Sequence, residues 1–413
     1  MKSLKLKRIS YLFNDESLNI YGYNVIWVKK MRKTRVLLLS EGFGSGHTQA
    51  ARALAVGMKH LAPDVQAHVM ELGRFLNPVI APLVINAYRK AVSSQPRIVG
   101  YAYRQQYQKP LSRMTQLVLH RLFYSRTSKV INKLRPDAII CTHPFPNIVV
   151  SRLKRAGLRI PLYTLITDYD AHGSWVDEEV NHYLVSAEVV KDKLLARGVS
   201  NDRITVSGIP VHPSFWDRKP PNEARDYLNI RQMPTVMFMG GGWGLSLHEV
   251  RMKEITRKWR DQVQFLFCMG SNDKMIQRMK QDPAFQHPNV QIYGFTNEIS
   301  TMMDASDLLV TKPGGMTCTE GMLKGIPMLF DSPIPGQEEE NCRYFIERGY
   351  AQMLDDPSTL EQWLRRIVQI SDIQGEIRYS RPLSREALVR CPRELLLLLQ
   401  PLRTSADSAD KPN

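Results

Sequence analysis

Three stretches of the 413-residue chain combine small residues with groups that can hold a phosphate, move a proton or grip a sugar. The first is "LLLSEGFGSGHTQAARAL", residues 37–54. An apolar run enters Gly42, Gly44 and Gly46, and a helical pattern begins just after them. The glycines allow a tight turn and close approach to a ligand. A helix N-terminus there offers free N–H groups and a partial positive charge to an anion. The turn ends in His47, where a nucleotide loop would carry lysine or a further glycine. An imidazole titrates near neutrality and can take a proton from a hydroxyl. The second stretch, "FMGGGWGL" at residues 238–245, repeats the logic with Gly240, Gly241 and Gly242. Either loop alone also describes a tight turn with nothing bound. One such loop opening each half of the chain says more, because the two are expected to face each other across a cleft.

The third stretch is "TKPGGMTCTEGMLKGIPMLFDSPIPGQEEEN", residues 311–341. Pro313, Gly314 and Gly315 end a strand, and Thr317, Thr319 and Glu320 open a helix. The Glu320 carboxylate suits a bidentate contact with a ribose diol. Gln337, Glu338 and Asn341 follow the next strand and a Pro-Gly turn, within reach of sugar hydroxyls. This spacing of small, hydroxyl and acidic residues is more specific than the glycine loops.

Parallel strands can position these groups. The runs "RVLLLS", "DAIICT", "PLYTLIT" and "HYLVS" form one set, and "TVMFMG", "VQFLFCMG", "VQIYGF", "DLLVT" and "IPMLF" a second. Short apolar runs separated by helical stretches predict parallel sheets covered on both faces. The proline-rich segment at residues 208–224 divides the sets. The expected class is α/β: two doubly wound, Rossmann-like domains at 31–213 and 220–372 facing a central cleft, with a C-terminal helix and tail at 373–413. In such sheets ligands sit at the carboxyl ends of the strands. Residues 1–30 are basic without a continuous apolar core, so they do not describe a signal peptide. They are expected to be a poorly ordered extension ahead of a start at Met31, the alternative being a small membrane-surface element.

The formal charge of +16 calls for an anionic partner. Residues 72–136 hold twelve Lys and Arg and no Asp or Glu, interleaved with aromatic and aliphatic residues. That pattern suits anionic lipid headgroups, with Arg97, Tyr101, Arg104 and Arg113 as candidate contacts. The same charges would serve nucleic acid, which the aliphatic runs disfavour, or form an ordinary solvated helical face. Five scattered cysteines with no CxxC pair imply neither a zinc site nor a disulfide framework, and so a reducing, cytoplasmic compartment. No apolar run reaches the roughly 20 residues of a spanning helix.

The order and spacing of "GFGSGH", "PDAIICTHPF", "TDYDAHGSW", "VSGIPVHPSF", "GGGWG", "GFTNEISTMMDASDLLVTKPGGMTCTE" and "PIPGQEEEN" resemble the processive diacylglycerol β-glycosyltransferases of Gram-positive bacteria and the plant monogalactosyldiacylglycerol synthases. More distantly, they resemble the N-acetylglucosaminyltransferase that makes lipid II. The resemblance covers about residues 34–372. It implies a GT-B fold, an acceptor- and membrane-binding N-terminal domain and a nucleotide-sugar-binding C-terminal domain. It further implies His47 as base on the acceptor hydroxyl and Glu320 on the ribose. The backbone near Phe295 would meet the base, Gly240, Gly241 and Gly242 the diphosphate, and Gln337 and Asn341 the sugar. Gly44, Gly46, His143, Asp168, His172 and Trp175 would line the acceptor side.

Together these readings describe an inverting transferase moving a hexose from UDP-glucose, UDP-galactose or UDP-N-acetylglucosamine to diacylglycerol, peripheral on the cytoplasmic face of a membrane. Glu41 stays open as a rival base or as an orienter of His47. The "DYD" at residues 168–170 imitates a metal-binding DxD, but in the family only its first Asp belongs to the motif, so no metal or other cofactor is expected. The sugar is not readable. A different acceptor, a nucleotide-sugar epimerase and a non-catalytic UDP-sugar sensor are the competing readings.

Overall fold

The structure is a computed structural model that describes residues 17–20, 23–26, 33–95, 100, 114, 121, 124–244, 249–331, 333–334, 336–372 and 385–402. Arg97, Tyr101, Arg104 and Arg113 lie outside the described residues.

In the N-terminal extension β1 (Ser17–Ile20) pairs antiparallel with β2 (Tyr23–Ile26). Both runs mix branched and aromatic residues with polar ones, as ladder-forming segments do.

The body contains two six-stranded sheets, each parallel throughout. The first has the order β4-β3-β5-β6-β7-β8, from β3 (Thr34–Ser40), β4 (Val65–Glu71), β5 (Ala138–Cys141), β6 (Leu162–Leu165), β7 (His182–Val185) and β8 (Ile204–Val206). The second has the order β11-β10-β9-β12-β13-β14, from β9 (Thr235–Met239), β10 (Gln264–Cys268), β11 (Val290–Tyr293), β12 (Leu308–Thr311), β13 (Met328–Phe330) and β14 (Ala351–Met353). The central strands are buried along their whole length, which is why they read as unbroken apolar runs.

Each sheet reverses its strand order once, between β3 and β5 in the first and between β9 and β12 in the second. A gap opens at the carboxyl edge wherever the connections leave to opposite sides, and ligands settle in it. The first glycine loop follows β3 and the second follows β9, so both loops stand at these reversal points.

Separate cores fill the two domains, around Leu37, Ile139 and Tyr183 in one and Val236, Phe265 and Leu329 in the other. A third cluster crosses between them, joining Ala50, Tyr169 and Ala187 to Met316, Cys318, Phe330 and Phe345. The domains therefore share apolar surface as well as a cleft. After the C-terminal sheet the chain returns to the first domain. The Arg385–Leu398 helix buries Cys391 and Leu395, together with Leu399 just beyond it, against Leu54 and Met58 of the Ser45–Leu61 helix. Pro392 packs where Gly57 leaves room, a Cβ there coming within 3.2 Å of it.

Candidate active site

Between the domains lies a cavity of about 600 Å³. Its walls come from both reversal points: Gly44, Ser45, Gly46 and His47 after β3, Gly240, Gly241 and Gly242 after β9, and Lys312, Gly314 and Gly315 after β12. The two glycine loops face each other, and the Gly242 N–H donates to Ser45 Oγ at 3.2 Å. A side chain on Gly242 would overlap Ser45, and one on Gly315 would overlap the Thr167 carbonyl. Glycine is required at both positions because the domains approach so closely.

His47 is the third residue of the Ser45–Leu61 helix, whose N-cap Gly44 has a φ of 153°. Its ring is fixed from several sides. Nδ1 meets Thr167 Oγ1 at 2.6 Å, and its backbone carbonyl accepts from Thr142 Oγ1 at 3.0 Å. The His143 ring stands edge-on to it at 4.8 Å and Trp175 lies 6.1 Å away. In the tautomer whose Nδ1–H donates to Thr167, Nε2 is the basic atom. Burial lowers the His47 pKa, and the negative charge of Asp168 partly opposes that. The imidazole is thus neutral near pH 7, as a general base must be.

His143, His172 and Trp175 stand behind His47 rather than on the cavity wall. Burial drives His143 well below the usual imidazole range and His172 down to about 4, so both are neutral supports. His143 Nδ1 caps the Pro144–Arg155 helix by accepting the Phe145 N–H at 3.2 Å. Asp168 lines the cavity.

Glu41 is not on the cavity wall. It is 1% exposed, and its Oε1 accepts the Gly73 N–H at 2.7 Å and the Tyr124 hydroxyl at 3.0 Å. Burial pushes its carboxyl up to about 8. A base must reach the acceptor proton, and this carboxyl reaches into the domain core instead, where it ties residues 73 and 124 to the start of the glycine loop.

Of the residues expected to hold the donor, Gly240, Gly241, Gly242, Phe295, Gly314, Gly315, Thr317, Glu320, Glu338 and Asn341 line the cavity. Phe295 is 64% exposed at the rim. Glu320 sits on the Gly315–Lys324 helix, half-buried and pushed up to about 8 by burial, with no hydrogen bond recorded to its carboxyl among the described residues. It is a polar group facing an empty space. Glu338 accepts the Ile334 N–H at 2.6 Å, and burial raises its carboxyl to about 7. Gln337 opens the Gln337–Glu347 helix, but its side chain is outside the described residues.

One donor-side expectation needs correction, and a second residue turns out to do structural work as well. Thr319 is 3% exposed and absent from the cavity wall; its hydroxyl donates to the Gly315 carbonyl at 2.6 Å and meets the Tyr169 hydroxyl at 2.9 Å. Asn341 spends its amide on the opposite domain: Oδ1 accepts the Tyr169 N–H at 2.8 Å, while Nδ2 reaches the Pro313 carbonyl at 3.1 Å and Asp168 Oδ1 at 3.4 Å. Both N–H groups are used, and Oδ1 keeps a second lone pair on the cavity side. Asp170, the last residue of the DxD look-alike, is 1% exposed and paired at 2.5 Å with Lys193, which also meets Glu340 at 3.1 Å. Among the described residues no cluster of three His, Cys, Asp or Glu is arranged to hold a metal ion.

Sequence reasoning missed Thr167, Ser45 and Tyr169, because each acts through a partner far away in the chain. It also missed Lys312, although a lysine at the end of a buried strand, directly before Pro-Gly-Gly, was a usable signal.

A monogalactosyldiacylglycerol (MGDG) synthase family model matches residues 47–211, and a glycosyltransferase family 28 C-terminal domain model matches residues 235–382. The processive diacylglycerol beta-glucosyltransferase of Bacillus subtilis (strain 168) is 30% identical over 327 residues, covering 77% of this chain and 82% of the relative. The chain belongs to the diacylglycerol β-glycosyltransferase family. Another family member, the processive diacylglycerol beta-glucosyltransferase of Staphylococcus carnosus (strain TM300), is 28% identical across 88% of this chain and 93% of its own. Among solved structures, Anabaena HepE in complex with UDP and glucose superposes with a TM-score of 0.55 at 14% identity, covering 88% of this chain and 99% of HepE. The UDP-GlcNAc 2-epimerase of Neisseria meningitidis gives a TM-score of 0.53 at 12% identity, covering 89% and 100%. At these identities the likeness is one of fold, and the fold is GT-B.

Proposed function

We infer that this chain is a UDP-sugar-dependent hexosyltransferase that makes a membrane glycolipid from diacylglycerol, that glucose is the sugar it moves, and that His47 is its base. The observation that carries the mechanism is a neutral histidine, anchored through Nδ1, on the wall of a cavity closed by two glycine loops. His47 Nε2 takes the proton of the acceptor hydroxyl as that oxygen attacks the anomeric carbon. The bond from that carbon to the β-phosphate oxygen breaks on the opposite face, and UDP leaves with inversion. Amides of the Gly240, Gly241 and Gly242 loop and nearby helix N-termini stabilise the charge that develops. Glucose is favoured because the similar curated proteins are named glucosyltransferases. No metal is assigned a role, since the ion pair to Lys193 occupies Asp170.

A membrane acceptor fits the outer face of the Ile80–Ser94 helix. Val79, Ile80 and Leu83 are 74%, 50% and 64% exposed there, and Tyr88 of the same helix lines the cavity. An apolar helix face beside the cleft mouth would let the acceptor enter from a bilayer without crossing water. No helix among the described residues is long and apolar enough to span a membrane. The five described cysteines are buried free thiols, in keeping with a cytoplasmic location.

The deciding experiment is a transfer assay with purified protein, diacylglycerol in anionic vesicles, EDTA, and each of UDP-glucose, UDP-galactose and UDP-N-acetylglucosamine in turn. Mass spectrometry should find hexosyl-diacylglycerol with UDP-glucose. Product from a different donor would correct the sugar. UDP released without glycolipid would replace the acceptor, and interconversion of the free nucleotide sugar would replace the reaction class.

A further inference from the structure

Lys312 has no part in the mechanism above, yet it occupies the centre of the donor site. It follows Thr311, the last residue of β12, which pairs in parallel register with Met239, the last residue of β9. The next residue on each strand is therefore Lys312 on one and Gly240 on the other. They stand side by side where the second sheet reverses its strand order. The backbone here is held firmly. Thr311 Oγ1 donates to the Met239 carbonyl at 3.1 Å, the Gly314 N–H donates to the Lys312 carbonyl at 2.8 Å, and the Pro313 carbonyl accepts from Asn341. The side chain is half-buried on the cavity wall. Among the described residues its ammonium has neither a hydrogen bond nor an ion pair, and the Glu338 carboxyl is the charged group that feels it. The only other permanent cation among the described cavity residues is Arg52, exposed on the Ser45–Leu61 helix.

A rigidly based cation beside a phosphate loop has one chemical fit. We propose that the Lys312 ammonium contacts the β-phosphate of the bound nucleoside diphosphate sugar and stabilises the UDP leaving group. This rests on the reading of the chain as a UDP-sugar transferase. As the anomeric carbon–oxygen bond breaks, its electron pair moves to the β-phosphate oxygen, which gains a full negative charge. Loop amides and helix dipoles offer fractions of a charge, whereas an ammonium offers a whole one. Lysine serves here as a compact point charge, and proline at position 313 limits the backbone freedom beneath it.

The test compares UDP with uridine. Calorimetry on the full-length wild type, Lys312→Met and Lys312→Arg would measure both ligands, and the vesicle assay would measure kcat. In Lys312→Met, UDP affinity should fall about 10- to 100-fold, the range for losing a hydrogen bond to a charged group, with uridine affinity unchanged. Its kcat should fall by roughly 10²–10³, as on removing a preorganised electrostatic donor. Lys312→Arg should recover part of both. Equal loss of UDP and uridine would make Lys312 a structural residue. Intact UDP affinity with weakened UDP-glucose binding would place the ammonium on Glu338. Either result overturns the proposal, as does unchanged kcat. A wild type that does not prefer UDP to uridine would instead overturn the donor reading itself.

Discussion

The hydroxyl of Tyr169, a residue of the N-terminal domain, meets that of Thr319 in the C-terminal domain at 2.9 Å. The Tyr169 ring is buried between Tyr344 and Phe345, with centroids 4.2 and 4.7 Å away. The middle residue of the DxD look-alike is thus a plug joining the two halves. Tyr169→Ala should destabilise the protein by roughly 3–5 kcal/mol, as large aromatic truncations do. Tyr169→Phe should cost about 1 kcal/mol for the hydrogen bond alone. Urea unfolding monitored in both domains would check this, and equal stability of Tyr169→Ala and wild type would refute the plug.

His47→Ala should lose transfer by roughly 10²–10⁴-fold while UDP affinity stays unchanged, since the base acts on the acceptor. Only the neutral ring works, so the rate falls as pH drops through the His47 pKa. Burial lowers that pKa, which puts the acid limb of kcat/KM below about 6.5, the ordinary histidine value. Asp168→Asn removes an influence that raises the pKa and should move the limb further toward acid.

Glu41 makes a contrasting case. Its carboxyl is raised from 4.5 to about 8, so near pH 7 the folded state holds a proton that the unfolded chain has released. This group's contribution to stability is complete below pH 4.5 and is lost as pH rises toward about 8. Glu41→Gln has no proton to lose and keeps an acceptor for Gly73 and Tyr124. Its melting temperature should gain on wild type between pH 5 and pH 8, with transfer largely retained. A loss of activity as large as that of His47→Ala would return Glu41 to the role of base.

Asp170→Asn breaks a buried pair with Lys193 and should cost roughly 3 kcal/mol, near the low end for such breaks. If its carboxylate were a metal ligand, wild-type transfer would respond to EDTA and Mn²⁺, and this variant would not. The expected result is no response in either protein.

Leu83→Asp places a charge on the exposed face of the Ile80–Ser94 helix. Cosedimentation with anionic vesicles should drop severalfold while UDP binding persists, since each apolar side chain buried in lipid contributes about 1.5–3 kcal/mol. Unchanged cosedimentation would move the membrane contact elsewhere on the molecule.

The strand pattern and the two glycine loops were legible because a parallel strand buried on both faces must be apolar along its length, and a tight approach must be glycine. Gly242 and Gly315 carry that signal locally. Thr319 was placed on the right helix but expected to bind the donor, and Asn341 was expected to meet the sugar. The Thr319 hydroxyl and Asn341 Oδ1 both meet Tyr169, about 150 and 170 residues earlier in the chain, and no local pattern announces such a partner. Glu41 beside the glycine loop misleads for the same reason: proximity in sequence put it near His47, while the direction of its side chain put it in the core.

The Arg385–Leu398 helix gives the chain an unusual route. The polypeptide leaves the first domain near residue 211, builds the whole second domain, and comes back to complete the layer it left. The C-terminal domain is therefore an insertion in the N-terminal one. Trimming the protein from its carboxyl terminus would uncover Leu54 and Met58 and unroof the helix that bears His47 before any donor contact was touched.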